Sequence, residues 1–376
     1  HENLQREHEA AAAAGLEVNY LEDGLPSLPA LGSVLEFSNQ GKVNIDELLA
    51  SLAKEAARLG VRFVAGDVVD VEGGRSAVAR LRSGDTIRAA SIVVATNVPF
   101  HHVVKLHTKQ AAYRTYVVAG TIDGDSAPDA LFWDDGDPYH YVRFVDGRDT
   151  SGTRMIMVGG EDHKTGQNED ASAYARLQAW TREHFPGEYH FSHAWSGQII
   201  EPVDGLAFIG RDPGRSNVFI ATGDSGNGIT HGVIAGLVIS DLVLGRDNPW
   251  ADLYAPDRIP VRAGGGWLAE NSNVAVQYLD WLKSDGVASA LSLPPGEGAV
   301  LRDGRHRIAV YRDGNGEISA FSARCPHLGC VVRWSPQEKS WDCPCHGSRF
   351  DAKTGAILNG PADAPLSSIE EYANKR

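Results

Sequence analysis

Six residues in two short stretches have types and spacings suited to redox or metal chemistry: Cys325, His327 and Cys330 in Cys-Pro-His-Leu-Gly-Cys, and Cys343, Cys345 and His346 in Cys-Pro-Cys-His-Gly-Ser. All four cysteines of the 376-residue sequence lie there. Two thiolates and two imidazoles can hold an iron–sulfur centre, with sulfur donors on one iron and nitrogen donors on the other. A structural zinc ion or two disulfides are the alternatives. Zinc knuckles favour paired Cys-x-x-Cys, whereas each half here brings one cysteine with one histidine and a further cysteine beside them. Cysteines confined to one stretch of an otherwise cysteine-free chain describe a metal module joined to a larger body, rather than a secreted disulfide scaffold.

Such a motif needs loops held by strands. After Pro294-Pro295 the pattern is one of short strands and tight turns, with Ile308 and Val310, then Asp313-Gly314-Asn315-Gly316, then Ile318 and Phe321, which predicts a small all-β domain. Residues 249–266, with Pro256, Pro260 and three successive glycines, read as loop and domain boundary. Asn271-Ser272-Asn273 can cap a docking helix whose apolar face is Val274, Tyr278, Trp281 and Leu282. The expected division is 1–255, 256–285 and 286–376.

In the body, Asn44 is a suitable N-cap for an amphipathic helix carrying Ile45, Leu48, Leu49, Leu52, Ala56 and Leu59 and stopped by Gly60. Residues 61–64, 68–71 and 92–95 read as strands, 110–160 as a mainly antiparallel sheet and 171–185 as a helix. Residues 218–230 read as strand, glycine loop and the start of a helix. The apolar run 232–245 is too short for a bilayer and is broken by Ser240 and Asp241, so it predicts a buried helix and no integral membrane segment. A formal net charge of −14 disfavours nucleic acid and anionic membrane as partners, since either calls for a basic patch.

The cysteine–histidine stretch resembles the Rieske iron–sulfur domain, in particular the cytochrome bc type. The resemblance implies Cys325 and Cys343 on one iron, His327 and His346 on the other, and a disulfide between Cys330 and Cys345. It extends to Gly347-Ser348-Arg349-Phe350-Asp351 and to Gly360-Pro361-Ala362, a loop that covers the cluster in such domains. Gly347, Ser348, Phe350 and Pro361 are therefore expected around the cluster. Ser348 matches a hydrogen-bond donor of the high-potential relatives, but Phe350 stands where they have a tyrosine, so the resemblance implies a lower potential. It also implies that the histidine side is exposed and serves as the electron exit. His102 and His107 have the His-x4-His spacing of the mononuclear iron in Rieske oxygenases. Pro99 stands at the near carboxylate position, and the pair precedes the Rieske motif instead of following it, which disfavours that reading.

Asn39-Gln40-Gly41, Gly66-Asp67-Val68-Val69, Ile92-Val93-Val94-Ala95-Thr96-Asn97 and residues 221–230, Ala-Thr-Gly-Asp-Ser-Gly-Asn-Gly-Ile-Thr, resemble the D-amino-acid oxidase and glycine oxidase superfamily of flavoproteins. The resemblance implies FAD as cofactor, with Val68, Ala95, Thr96, Gly223, Gly226, Asn227, Gly228, Ile229 and Thr230 near it. No strand–Gly-x-Gly-x-x-Gly–helix unit precedes residue 60, so the FAD-binding domain is expected to be incomplete and the chain to be a fragment of a longer parent. The fold implied is an α+β flavoprotein body, part FAD-binding domain and part antiparallel-sheet substrate domain, followed by an all-β Rieske domain. The function implied is oxidation of a small amine or amino-acid-like substrate, with electrons passed through a [2Fe–2S] cluster to an external acceptor. The alternative is a non-catalytic Rieske electron-transfer module on a degenerate flavoprotein scaffold. Glu161-Asp162-His163-Lys164, Tyr113 and Trp195 are pocket candidates, with a solvated turn and core packing as the plainer readings; no residue is singled out as catalytic. A cytoplasmic protein is expected.

Overall fold

The computed structural model describes residues 2–101, 106–123, 127–146, 154–167, 170–259, 264–281 and 290–370. His102, Pro260 and Leu282 lie outside them. The body begins with α1 (Glu2–Ala13), β1 (Val18–Leu21), β2 (Val34–Phe37), α2 (Ile45–Arg58), β3 (Val68–Glu72), β4 (Ala77–Leu81), β5 (Thr86–Ala89) and β6 (Ile92–Val94). It continues through β7 (Gln110–Asp123), β8 (Leu131–Trp133), β9 (His140–Asp146), β10 (Arg154–Lys164), α3 (Ala173–His184), β11 (Glu188–Pro202), β12 (Phe208–Arg211), β13 (Val218–Thr222), α4 (Gly228–Leu244) and α5 (Ala251–Tyr254). Then come α6 (Gly264–Gln277), β14 (Glu297–Asp303), β15 (His306–Arg312), β16 (Ile318–Ser322), β17 (Arg333–Ser335), β18 (Ser340–Asp342), β19 (Arg349–Asp351) and β20 (Ile357–Asn359). Two compact units result, one of His1–Ala65, Tyr116–Glu161 and Ser172–Ser196, the other of Gly66–Thr115, Asp162–Ala171 and Gly197–Arg376.

In the first unit, the Asn44 side chain accepts from the N–H groups of Asp46 and Glu47 and starts α2 as expected. The apolar face of α2 nevertheless finds no core, and Leu49, Leu52 and Leu59 are exposed. Residues 61–64 form no strand, and Phe63 and Val64 are exposed. Their strand-like composition has no partner ladder among the described residues, and an unpaired strand gains no hydrogen bonds from being one. The core of this unit lies under β7, β9, β10 and α3, where Tyr116, Val118, Phe144, Ile156, Val158, Leu177 and Phe185 are buried together. The five-stranded sheet to which these strands belong runs β11-β7-β10-β9-β8, with β9 antiparallel to β10 and β8.

In the second unit, β3, β4 and β5 form an antiparallel meander, and β13 lies between β12 and β6. The pairing of β13 with β6 is parallel, Ile220 opposite Val94, so Ala95-Thr96 and Thr222-Gly223 leave their strands side by side. Ligands of doubly wound sheets sit at such carboxyl ends. Helix α4 buries Ala235, Val238 and Ile239 on Ile209 and Phe219, but Ile229, Val233, Leu237 and Leu244 face outward at 47 to 60% exposure. The expected buried helix is thus buried on one face.

Residues 264–266, expected as loop, begin α6, and the proposed caps Asn271 and Asn273 lie inside it. Their side chains have tertiary partners instead: Asn271 donates to the Thr108 carbonyl, and Gln167 donates to Asn273 Oδ1. Beyond α6, β14, β15 and β16 form one antiparallel sheet and β17 to β20 another. Arg349 on β19 is 5% exposed, with its Nε donating to Asp342 and its Nη2 to Ser340, themselves buried. Removing one member of such a pair strands the other charge. Arg349→Ala should cost about 3–5 kcal/mol of stability, read as a drop in denaturant midpoint; a cost below about 1 kcal/mol would show that Asp342 is held by other means.

Candidate metal centre and flavin site

Two loops at one end of the β17–β18–β19–β20 sheet carry the cysteines, and they are built alike. In the first, Cys325 N–H donates to the Cys330 carbonyl and Gly329 N–H to the Cys325 carbonyl, with Gly329 at φ +81°. In the second, Cys343 N–H donates to the Ser348 carbonyl and Gly347 N–H to the Cys343 carbonyl, with Gly347 at φ +78°. A left-handed glycine closes each turn one residue before its last member, and only glycine adopts that conformation without strain. Cys330 and Cys345 are joined as a disulfide that ties the loops together.

Cys325 and Cys343 remain as buried free thiols, and the rings of His327 and His346 lie 4.9 Å apart, edge to face. The Cys343 sulfur lies within 4.8 Å of the sulfurs of Cys330 and Cys345, but those two are bonded to each other and unavailable as thiolates. What is left is two thiols and two imidazoles, which suits a Rieske cluster and not a four-thiolate zinc site. The hydrogen bond with Cys343, opposed by burial and helped by the backbone N–H of His327 and the Ser348 hydroxyl, pulls the Cys325 thiol down to about 7. That same hydrogen bond and burial push Cys343 well up. Burial, then the neighbouring His327, lowers His346 to about 4, so its ring is the neutral, ligand form at neutral pH. His346 Nδ1 is buried with no hydrogen-bond partner, a cost that a metal bond would offset.

Around these loops, the Ser348 hydroxyl accepts from Ala362 N–H at 3.0 Å and so anchors the buried Pro361 loop beside Cys325. Phe350 is fully buried, opposite Trp341 in the β18–β19 register, and packs in one core with Cys325, Cys343 and Ala362. The histidine side departs from expectation. The His107 ring, 5% exposed, stands 5.0 Å from that of His327 and 6.0 Å from that of His346, and both nitrogens of His327 are shielded from water. His107 was legible only as half of a His-x4-His spacing; that it meets the Rieske loops has no local signal.

The flavin candidates converge at the carboxyl ends of β6 and β13. Thr222 Oγ1 donates to the Asn97 carbonyl, binding the two strand ends. Gly223, Ser225 and Gly226 all have positive φ, and a Cβ at Gly226 would meet nothing within 4 Å. Asn227 is the N-cap of α4 but caps no helix N–H with its side chain, and residues 226–230 are exposed, as are Ala95 and Thr96. A helix start with no side-chain cap, beside the open position at Gly226, suits the anionic edge of a flavin, while Gly223 is packed and Asp224 lies close to Gly228. Val68 instead packs with Val71, Val94 and Val218 beneath this edge.

The other candidates are placed differently. Glu161 is buried and takes hydrogen bonds from Arg176 at 2.5 Å and from the His140 ring at 3.5 Å, with His140 in turn on Asp134 at 2.9 Å, so it is no solvated turn. Lys164 pairs with Glu270, and its ammonium lies 5.9 Å from the Tyr113 ring centre. Trp195 is 42% exposed and is not core.

Residues 1–242 match the family model of FAD dependent oxidoreductases, and residues 285–370 match that of the Rieske [2Fe-2S] domain. The chain belongs to the FAD-dependent oxidoreductase family and carries a Rieske domain. It is 28% identical over 375 residues to the putative Rieske 2Fe-2S iron-sulfur protein YhfW of Bacillus subtilis (strain 168), covering 98% of this chain and 72% of that one. It is 34% identical over 133 residues to cytochrome b6-f complex iron-sulfur subunit 1 of the Cyanophora paradoxa cyanelle, covering 34% of this chain and 51% of that one. In fold it is similar to glycine oxidase from Geobacillus kaustophilus, with TM-score 0.56, 20% identity, and 69% and 71% of the two chains covered. L-proline dehydrogenase from P. horikoshii gives TM-score 0.51 and 16% identity over 68% and 72%. Family and domain imply FAD and a [2Fe–2S] cluster, and the donor sets just described fit both. Among the described residues no helix is long and apolar enough to cross a membrane.

Hydrogen bonds to cluster and ligand sulfurs stabilise the reduced state. With Ser348 present and phenylalanine at 350, the midpoint potential measured by voltammetry should lie below that of quinol-oxidising Rieske proteins. Phe350→Tyr should raise it and Ser348→Ala lower it; no change in either variant would dissociate these positions from the potential.

Proposed function

We propose that the protein oxidises an amine or amino-acid-type donor at a CH–NH bond and passes the electrons through the Rieske site to an external one-electron acceptor. Bound FAD supplies a two-electron hydride acceptor and a [2Fe–2S] cluster a one-electron carrier. The donor loses a hydride and a proton to give an imine, which water hydrolyses, and the two electrons leave to two equivalents of the acceptor. The observation that carries this reading is that the glycine loop at Gly223 and the Rieske loops belong to one compact unit, so a relay between them needs no second protein.

The residues divide the work. Backbone N–H groups of Gly228, Ile229 and Thr230, with the positive end of α4, would hold the flavin and favour negative charge on its ring. Cys325, Cys343, His327 and His346 hold the cluster, and the disulfide of Cys330 with Cys345 holds the loops. The relatives of similar fold named above act on glycine or L-proline, which supports a small amine-type substrate. The division into a flavoprotein body at 1–255, a linker and docking helix at 256–285 and a Rieske domain at 286–376 belongs to this proposal. So does a cytoplasmic setting, in which the buried disulfide is sheltered from thiol reductants. The scaffold alternative draws on one observation: no described strand before residue 60 leads through a glycine fingerprint into a helix.

Anaerobic titration of the full-length protein with glycine, L-proline and N-methylated amino acids tests the relay. The flavin band should bleach and the cluster become EPR-active with the same donor. A flavin that bleaches while the cluster stays oxidised would reject the relay, and a protein that retains no flavin would favour the scaffold.

A further inference from the structure

We propose that the histidine side of the Rieske site is docked inward on the flavoprotein body, positioned by the imidazole of His107, and that this face is where electrons reach the cluster. The inference rests on the relay reading and adds its route. With both groups bound, FAD would supply electrons in pairs and the cluster held by Cys325, Cys343, His327 and His346 would take them one at a time, with no bond made or broken.

Three imidazoles form a triangle, His327 to His346 at 4.9 Å, His107 to His327 at 5.0 Å and His107 to His346 at 6.0 Å, and its third member comes from the body. His107 opens a short helical turn, His107–Lys109, directly before β7. The loop carrying His346 is held on the same side by backbone contact. Gln198 Nε2 donates to the Gly347 carbonyl at 2.7 Å, and a Cβ at Gly347 would lie 2.2 Å from that of Ala112. Gly166, at φ +72°, approaches so closely that its Cβ would lie 2.8 Å from Pro344 N. Helix α6 is tied to the body by Asn271 on the Thr108 carbonyl, and the turn after it secures the first loop, with Tyr278 Oη on the Leu328 carbonyl and Trp281 Nε1 on the Gly329 carbonyl. A surface this closely fitted, through backbone and the buried His107 ring, is a fixed interface and not a passing contact.

The route continues toward the flavin loop. Gln110 Oε1 lies 3.5 Å from Thr222 Oγ1 and would lie 3.3 Å from a Cβ at Gly223, the first residue of that loop. Gln110, Ala112 and Ile200 share a small pocket with His107 and His346. Packed atoms therefore lead from Gly223 through Gln110 to the histidine side of the cluster. The face expected to be the open exit is thus only partly exposed, with His327 and His346 half-buried against the body.

His107→Ala, His107→Phe and Ala112→Glu test this in the full-length protein loaded with FAD and cluster, reduced anaerobically by the donor found in the titration above. Flavin reduction should be unchanged in all three. Cluster reduction should slow about tenfold or more in His107→Ala and Ala112→Glu and stay near wild type in His107→Phe, which keeps a ring against both histidines. Amide hydrogen exchange of residues 343–348, which needs no donor, should rise in the two slowed variants. Wild-type cluster reduction in His107→Ala, or unchanged exchange in both His107→Ala and Ala112→Glu, would overturn the docking. A wild-type cluster that stays oxidised beside reduced flavin would defeat the relay instead, while the exchange measurement would still decide the docking.

Discussion

Everything around the metal centre depends on how closely one loop approaches the body. At Gly347 the backbone stands where a single added carbon would lie 2.2 Å from the Cβ of Ala112, and Gln198 holds the Gly347 carbonyl from the same side. Gly347 is also at φ +78°, so one glycine meets two demands, the turn that presents His346 and the contact that fixes it. The disulfide then transmits that position to the other loop, since Cys345 beside His346 is joined to Cys330. The placement of Cys325, His327, Cys343 and His346, the four proposed ligands, is set in part by contacts of residues outside that set.

Charge placement reinforces the same contact. Arg114 at the start of β7 donates to Glu338 at 2.7 Å, and Arg349 reaches Glu338, Asp342 and Ser340. Arg333 meets Gln277 and Asp280 near the end of α6. Buried charges of this kind add little net stability over apolar packing, but they penalise any arrangement that separates the partners. They specify how the Rieske sheets seat on β7 and α6 more than they strengthen that seating.

Local chemistry was legible in the sequence and long-range geometry was not. The cysteines and histidines of the two loops are separated by few positions within each loop, so type and spacing marked them as candidates, and the resemblance to Rieske domains supplied the Cys330–Cys345 pairing that the structure contains. Asn44 was readable as a cap because capping needs only the next two N–H groups. The strand, glycine loop and helix from Val218 onward were readable for a similar reason. By contrast, α2 and α4 both carry apolar faces, yet whether such a face is buried depends on what lies against it, and periodicity is silent on that. Residues 61–64 have strand composition without a strand partner. The glycines at 264–266 are helical against their low propensity, and the side chains of Asn271 and Asn273, read from the sequence as caps, meet Thr108 and Gln167 instead. His107 meets His327 across a sequence separation that no local pattern spans.

A flavoprotein with a fixed cluster arm has a kinetic signature. Anaerobic single-turnover stopped flow, following flavin and cluster absorbance after mixing with donor, is the most direct test. Cluster reduction should follow flavin reduction as a first-order step whose rate is independent of protein concentration and of solvent viscosity. A rate that rises with protein concentration, or falls as viscosity increases, would contradict it.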